Sequence, residues 1–273
     1  MLDDDVRDWF AQDCDRPRLR FLGPVSVRTG GNRLERRVPY YIELLSFLAT
    51  RPHGATADEV STAFGITPAR IRTDINKLRN WLGINPRTSE SFIPDARHAP
   101  GAKDRGLAVY QSVDLLIDID LFRRLRLRGQ AKGESGIEDL SRALQLVTGR
   151  PFDKLRPTGW SWLLEGDRLD HHMVCAIADT AHLVTTHSLY AGDLTRARIA
   201  AEIALLAASD EEIPHLDLAA ILEAEGHHHE AAQIIGGDVC NRSDDGEPPL
   251  ELSERTTQII DAQQWLHPDQ KAI

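Results

Sequence analysis

Residues 66–87, "ITPARIRTDINKLRNWLGINPR", carry five basic side chains, Arg70, Arg72, Lys77, Arg79 and Arg87, beside a single acid, Asp74. At about 100° per residue, Ile71, Ile75, Leu78 and Leu82 fall within about 60° of one another, so they form a stripe that must face a core. The opposite side then presents Arg70, Thr73, Asn76, Lys77 and Asn80, with Arg72 and Arg79 on one flank and Asp74 on the other. These are side chains able to read nucleic acid. Arg and Lys meet phosphates or guanine, Asn makes paired bonds to adenine, and Thr touches a thymine methyl group or a phosphate. The same composition also describes an ordinary solvated helix, so the elements around it have to decide.

Those elements have the order of a winged helix. "RLRFLGPVSVR" alternates Leu19 and Phe21, then Val25 and Val27, with polar or small residues, and "TGGN" supplies a turn, which predicts two or three short strands. From Pro39 the period becomes helical through Ile42, Leu45, Leu48 and Ala49. In "TADEVSTAFG", Thr56 and Glu59 have capping-box spacing and Gly65 stands where a left-handed cap is wanted. A second start follows at once, with Thr67 as N-cap, Pro68 at the first helical position, and Ile66 and Ile71 spaced as a hydrophobic staple. A short helix, a glycine and a newly capped helix form the helix-turn-helix pattern. Beyond it, Phe92 and Ile93 read as one strand and "GLAVYQ" as another. The loop between them holds Arg97, His98, Lys103 and Arg105, a basic wing suited to a minor groove or phosphate backbone. The predicted DNA-contacting set is therefore Arg70, Arg72, Thr73, Asn76, Lys77, Arg79, Asn80, Arg97, Lys103 and Arg105.

Charge divides the chain in the same place. Residues 16–112 hold 16 Lys and Arg against 8 Asp and Glu, whereas the remaining residues hold 16 against 34. Such asymmetry points to a polyanionic partner for one part and a different task for the other. With 273 residues, 41% of them hydrophobic, the chain can bury proper cores. Its three cysteines, Cys14, Cys175 and Cys240, are far apart and lack metal-site spacing, which fits a reducing, cytoplasmic setting. No apolar run is long enough to span a bilayer, and the acidic "MLDDDVRDWF" does not have the form of a signal peptide.

From Val113 onward helical patterns dominate: "DIDLFRRLRLRG", "GIEDLSRALQLVTGR", "WLLEGDRLDHHMVCAIADTAHLVTTHSLYAG", "LTRARIAAEIALLAAS", "LDLAAILEAEG" and "HHEAAQII". Alanines at packing positions and turns at Gly-Asp and Gly-His predict tetratricopeptide-like hairpins that bind a protein or peptide. "HHH" at 227–229 reads as a solvated helix start, and Trp160 and Trp162 as packed residues near a helix entrance. No nucleophile-base-acid signature, phosphate-cradling glycine loop, zinc motif or cofactor motif is present, so an enzyme is disfavoured.

Taken in order, "RLRFLGPVSV", "LLSFLATRPHGATADEV", "INKLRNWLG", "DIDLFRRL", "ALQLVTGRPF", "LYAGDLTRAR" and "EAEGHHHEAAQII" resemble the Streptomyces antibiotic regulatory proteins (SARPs). These join a response-regulator type winged helix to a helical bacterial transcriptional activator domain. The resemblance implies an α+β winged helix-turn-helix followed by an all-α tetratricopeptide-like domain. It also implies sequence-specific binding of double-stranded promoter DNA, with the helical domain meeting RNA polymerase or another protein, and a homodimer on repeated sites. Matched position by position, the family's DNA-facing residues fall on Arg70, Thr73, Asn76, Lys77 and Asn80. The expected organisation is a flexible acidic arm at 1–15, the winged helix at 16–112, the helical domain at 113–237, and an acidic linker with a C-terminal helix at 238–273. An adaptor that binds proteins and not DNA, or a fragment of a larger signalling protein, is the alternative reading.

Overall fold

A computed structural model describes residues 1–239 and 254–262, which divide into two compact units. The first unit takes Met1–Arg124 together with Pro151–His171, and the second takes Leu125–Arg150 and the chain from His172.

The first unit opens with a helix, α1 (Leu2–Phe10), where the composition predicts a flexible arm. Val6 and Trp9, one helical turn apart, are buried, and Asp3, Asp4 and Asp5 lie in the first turn, where the helix dipole favours acids. Asp5 accepts from Arg16 at 2.7 Å and from Arg124 at 2.8 Å, and Asp8 accepts from Arg87 at 2.7 Å. The acidic segment is therefore folded onto its own unit through arginines outside the outward face of residues 68–82.

Strands β1 (Arg18–Arg20) and β2 (Ser26–Arg28) pair antiparallel, and β3 (Leu116–Ile117) pairs parallel to β1, giving the order β2-β1-β3. β3 lies beyond the sequence boundary at 112, yet it completes the N-terminal sheet. Immediately after it, Asp118 begins α6 (Asp118–Lys132) and accepts backbone N–H bonds from Phe21 at 2.8 Å, Leu22 at 2.8 Å and Ile119 at 2.9 Å. This buried carboxylate ties the turn that follows β1 to the start of α6. Complete burial pushes its pKa up to about 7, against three amide bonds that favour the charged form.

The helices α2 (Val38–Ala49), α3 (Ala57–Phe64) and α4 (Pro68–Leu82) pack together, α2 and α3 each meeting α4. Both predicted caps form: Thr56 and Glu59 make a reciprocal capping box, and the Thr67 side chain accepts from the Arg70 amide. Gly65 takes the left-handed conformation, φ 62°, that ends α3 and lets α4 start three residues later. Residues 151–171, which the sequence places in the helical half, also belong to this unit. The Phe152 amide donates to the Phe21 carbonyl at 2.7 Å, and their rings stack at 4.8 Å. Glu43, buried on α2, accepts from the Trp160 amide at 2.7 Å and pairs with Arg156. Trp160 is buried, and Trp162 packs edge-on against Phe47 at 5.3 Å.

In the second unit, the later part of α6 is followed by α7 (Ile137–Leu144), α8 (Leu169–Tyr190), α9 (Leu194–Ala207), α10 (Glu212–Ala224), α11 (His228–Ile234) and α12 (Glu254–Ala262). α8 begins within the last residues of the first unit. Ala197, Ala200, Ala201, Ala204 and Ala207 form the buried face of α9, where small side chains allow neighbouring helices to approach closely. His227, His228 and His229 are exposed at the start of α11, with His228 on Glu223 at 2.5 Å and His227 on Glu230 at 3.1 Å. The predicted acidic linker after Val239, with Cys240, and Leu266 of the predicted last helix lie outside the described residues.

Candidate nucleic-acid interface

α4 is held from three directions, and its exposed face is what remains. Ile71, Ile75 and Leu78 are fully buried and Leu82 nearly so, as the periodicity predicts, and Trp81 joins them. Burying those four aliphatic side chains contributes about 6–12 kcal/mol, enough to stabilise a helix that would be marginal in isolation.

The second attachment is polar. Asp74, on the flank of the stripe, is completely buried and accepts from Tyr40 at 2.9 Å, Tyr41 at 2.8 Å and the Arg70 Nε at 2.9 Å. Burial, reinforced by the bonds to Asp74, pushes both tyrosine pKa values up, so both remain hydrogen-bond donors. Arg70 is thus fixed by its neutralising partner while its side chain stays 44% exposed. Such an arginine presents the rest of its guanidinium with little remaining rotamer entropy to lose.

The third attachment caps the helix C-terminus. Thr29 Oγ1 donates to the Trp81 carbonyl at 2.8 Å, and the Asn32 amide donates to the Asn80 carbonyl at 3.0 Å. Gly31 lies so close that an added Cβ would stand 2.3 Å from the Trp81 oxygen and 2.7 Å from the Asn80 oxygen. Gly31→Ala must therefore displace backbone on both sides, and we expect a loss of about 1–3 kcal/mol, read from thermal unfolding followed by tryptophan fluorescence.

The predicted contact residues divide on this scaffold. Arg70, Arg72, Thr73, Asn76, Lys77 and Asn80 are all exposed on α4. Arg79 is half-buried and works as a tether: its Nε donates to the Ile93 carbonyl at 2.8 Å, and its two terminal nitrogens reach the Pro94 carbonyl and Asn76 Oδ1. Arg97 and Lys103 are exposed and make no ion pair among the described residues. Arg105 is committed elsewhere, forming two bonds to Glu59 at 2.7 and 2.9 Å and one to the Gly54 carbonyl. That guanidinium holds the Glu59 pKa down to about 2.

The predicted wing strands are not formed. Phe92 accepts from the Val113 amide at 2.9 Å, Tyr110 makes an isolated bridge with Ala55, and the intervening loop contains a short helix, α5 (Pro100–Arg105). Gln111 accounts for the difference. Its side chain accepts from the Gly101 amide at 2.8 Å and donates to the Pro52 carbonyl at 2.5 Å, pinning the loop beside the end of α2.

A solved structure provides the comparison. The fold matches that of EmbR. The Mycobacterium tuberculosis EmbR structure, described as a complex with a low-affinity phosphopeptide, superposes with a TM-score of 0.56 at 19% sequence identity. The match covers 91% of this chain and 66% of the EmbR chain, so the chain spans just under two thirds of EmbR's length. At this identity EmbR supports the architecture, an N-terminal winged domain with a helical domain. No family model matches the chain, and no curated protein matches it. Among the described residues no helix is long and apolar enough to cross a membrane, and no three His, Cys, Asp or Glu side chains group as a metal site would require.

Proposed function

We propose that this chain is a sequence-specific DNA-binding transcriptional regulator whose α4 enters the major groove. The observation that carries this reading is the outward face of α4. Six polar or basic side chains, Arg70, Arg72, Thr73, Asn76, Lys77 and Asn80, project from a helix whose remaining surface is fixed by Asp74, the apolar stripe and the Thr29–Asn32 cap. A rigid helix with an exposed Asn at its middle and basic side chains around it meets the requirements of direct readout. In this reading Arg72, Arg97 and Lys103 serve the phosphates, while Arg79 and Arg105 serve the fold. The helical unit is the part proposed to meet RNA polymerase, another protein or a second protomer.

The test is a titration of the full chain against its own upstream region and against random duplex at two salt concentrations. Preferential binding of the upstream region is expected, with log affinity falling as log salt rises. Asn76→Ala should cost about 1–3 kcal/mol on the specific site alone. Lys77→Glu combined with Arg72→Glu should abolish binding to both duplexes. Arg70 is a poor choice for charge reversal, because a second carboxylate against buried Asp74 would damage the helix and not only its surface. Equal affinity for the upstream region and random duplex would overturn sequence-specific regulation. If the Lys77/Arg72 reversal left that affinity intact, α4 would not be the reader.

A further inference from the structure

The residues that lead into α2 run alongside α4 and place a second set of arginines beside it. The segment 29–37, "TGGNRLERR", is fixed at both ends against the same helix. At one end, Thr29 and Asn32 bond the Trp81 and Asn80 carbonyls. At the other, Arg37 lies with its guanidinium 4.1 Å from the Tyr40 ring centre, and Tyr40 bonds Asp74 of α4. Between Asp74 and Asn80 the helix rises about 9 Å, a distance five residues span easily. Arg33, Arg36 and Arg37 are all exposed, and Arg33 and Arg36 make no ion pair among the described residues.

The side of α4 that this segment borders is set by helical geometry. Arg70, Asp74, Lys77 and Trp81 share one flank, whereas Arg72 and Arg79 share the other, which faces Ile93 and Pro94. Basic residues therefore stand on both flanks of the helix: Arg72 on one, and on the other Arg37, stacked on the tyrosine that bonds Asp74, with Arg33 and Arg36 in the same segment. Arg37 adopts the left-handed backbone conformation, φ 57°, immediately before α2. A non-glycine residue holds that conformation at some cost, and here it accompanies the placement of the guanidinium across Tyr40.

The geometry points to Arg33, Arg36 and Arg37 as a phosphate clamp: they grip the DNA backbone on the edge of the major groove opposite Arg72. A helix lying in the groove has a phosphate strand on each side, so a helix-flanking arginine segment fixes its depth and register without reading bases. The clamp also supplies positive charge that the tethered Arg79 and Arg105 do not. This inference rests on the DNA-binding reading of α4, and the experiment separates the two.

Arg33→Gln and Arg36→Gln are combined in the full chain, leaving Arg37 on Tyr40, and affinity is measured for the upstream region and for random duplex across several salt concentrations. Two lost phosphate contacts should lower the slope of log affinity against log salt by about 1.8 and weaken both duplexes roughly 10–30-fold near physiological salt. The ratio of specific to random affinity should stay constant. The thermal midpoint, followed by tryptophan fluorescence, should be unchanged because neither side chain has an ion-pair partner to lose among the described residues. Normal binding with an unchanged salt slope would overturn the clamp alone. A reduced ratio at an unchanged slope would overturn it too, since the arginines would then read bases. Absence of duplex binding in the unsubstituted chain would overturn both the clamp and the reading it rests on. If the double variant unfolds at a lower temperature, Arg33→Lys with Arg36→Lys decides: retained charge should restore the slope, and failure to restore it would overturn the clamp.

Discussion

Asp118→Ala is expected to destabilise the first unit by about 3–5 kcal/mol. Its carboxylate is the acceptor for the Phe21, Leu22 and Ile119 amides, and alanine would leave three donors buried without it. The Asp118→Asn variant should recover only part of the loss, because the NH2 group of its side chain would face amide donors. Urea unfolding followed by tryptophan fluorescence reports mainly on this unit, since Trp9, Trp81, Trp160 and Trp162, four of the chain's five tryptophans, lie within it.

The same residue carries a pH signature with a defined sign. Burial raises its pKa from the ordinary 3.8 to about 7, so between about pH 4 and pH 7 the folded chain holds a proton that the unfolded chain has released. Stability from this group therefore falls as pH rises through that window and levels off above it. Carboxylates held low by arginines, such as Glu59 with Arg105, act oppositely, contributing stability that is lost as pH falls. The informative quantity is thus the difference between the unsubstituted chain and Asp118→Asn. Its slope between pH 4 and pH 7 should vanish in the variant for this component, and an identical pH profile in both proteins would refute it.

The second large effect belongs to Asp74. Asp74→Ala should cost about 2–4 kcal/mol, because the Tyr40 and Tyr41 hydroxyls lose a charged acceptor and Arg70 loses its partner. On the DNA-binding reading proposed above, the loss should also reach DNA. With Arg70 released, affinity for the specific site should fall even at temperatures where the variant is fully folded. A cycle of Tyr41→Phe with Asp74→Asn isolates the contact, and a coupling energy of at least about 0.5 kcal/mol is expected. Strict additivity of the two substitutions would show that the hydroxyl and the carboxylate do not cooperate.

Both residues show where the sequence is legible and where it is not. The stripe Ile71, Ile75, Leu78 and Leu82, the caps at Thr56 and Thr67 and the left-handed Gly65 are readable because each depends on neighbours within a few positions. The burial of Asp74 is not, since its tyrosine donors lie 33 and 34 positions earlier, although its spacing of four from Arg70 hints at a pair. The predicted wing strands are missed for the same reason: strand pairing is non-local, and the Gln111 side chain is bonded to Pro52 and Gly101. In α1 the local signal is present, with Val6 and Trp9 at helical spacing behind three acids, but the acidic composition masks it. The arginines of "RLERR" are visible as charge, yet only the bonds from Thr29 and Asn32 place them beside α4.

The return of residues 151–171 to the first unit has a consequence for how the chain acquires its structure. On the ribosome the N-terminal segment, complete through α4 and β3, still lacks Phe152 for Phe21, Arg156 for Glu43 and Trp162 for Phe47. Until those residues emerge, Glu43 is a carboxylate in a half-built core and Phe21 has an uncovered face. The core around Phe21 and α2 would thus be completed only after translation has passed α7.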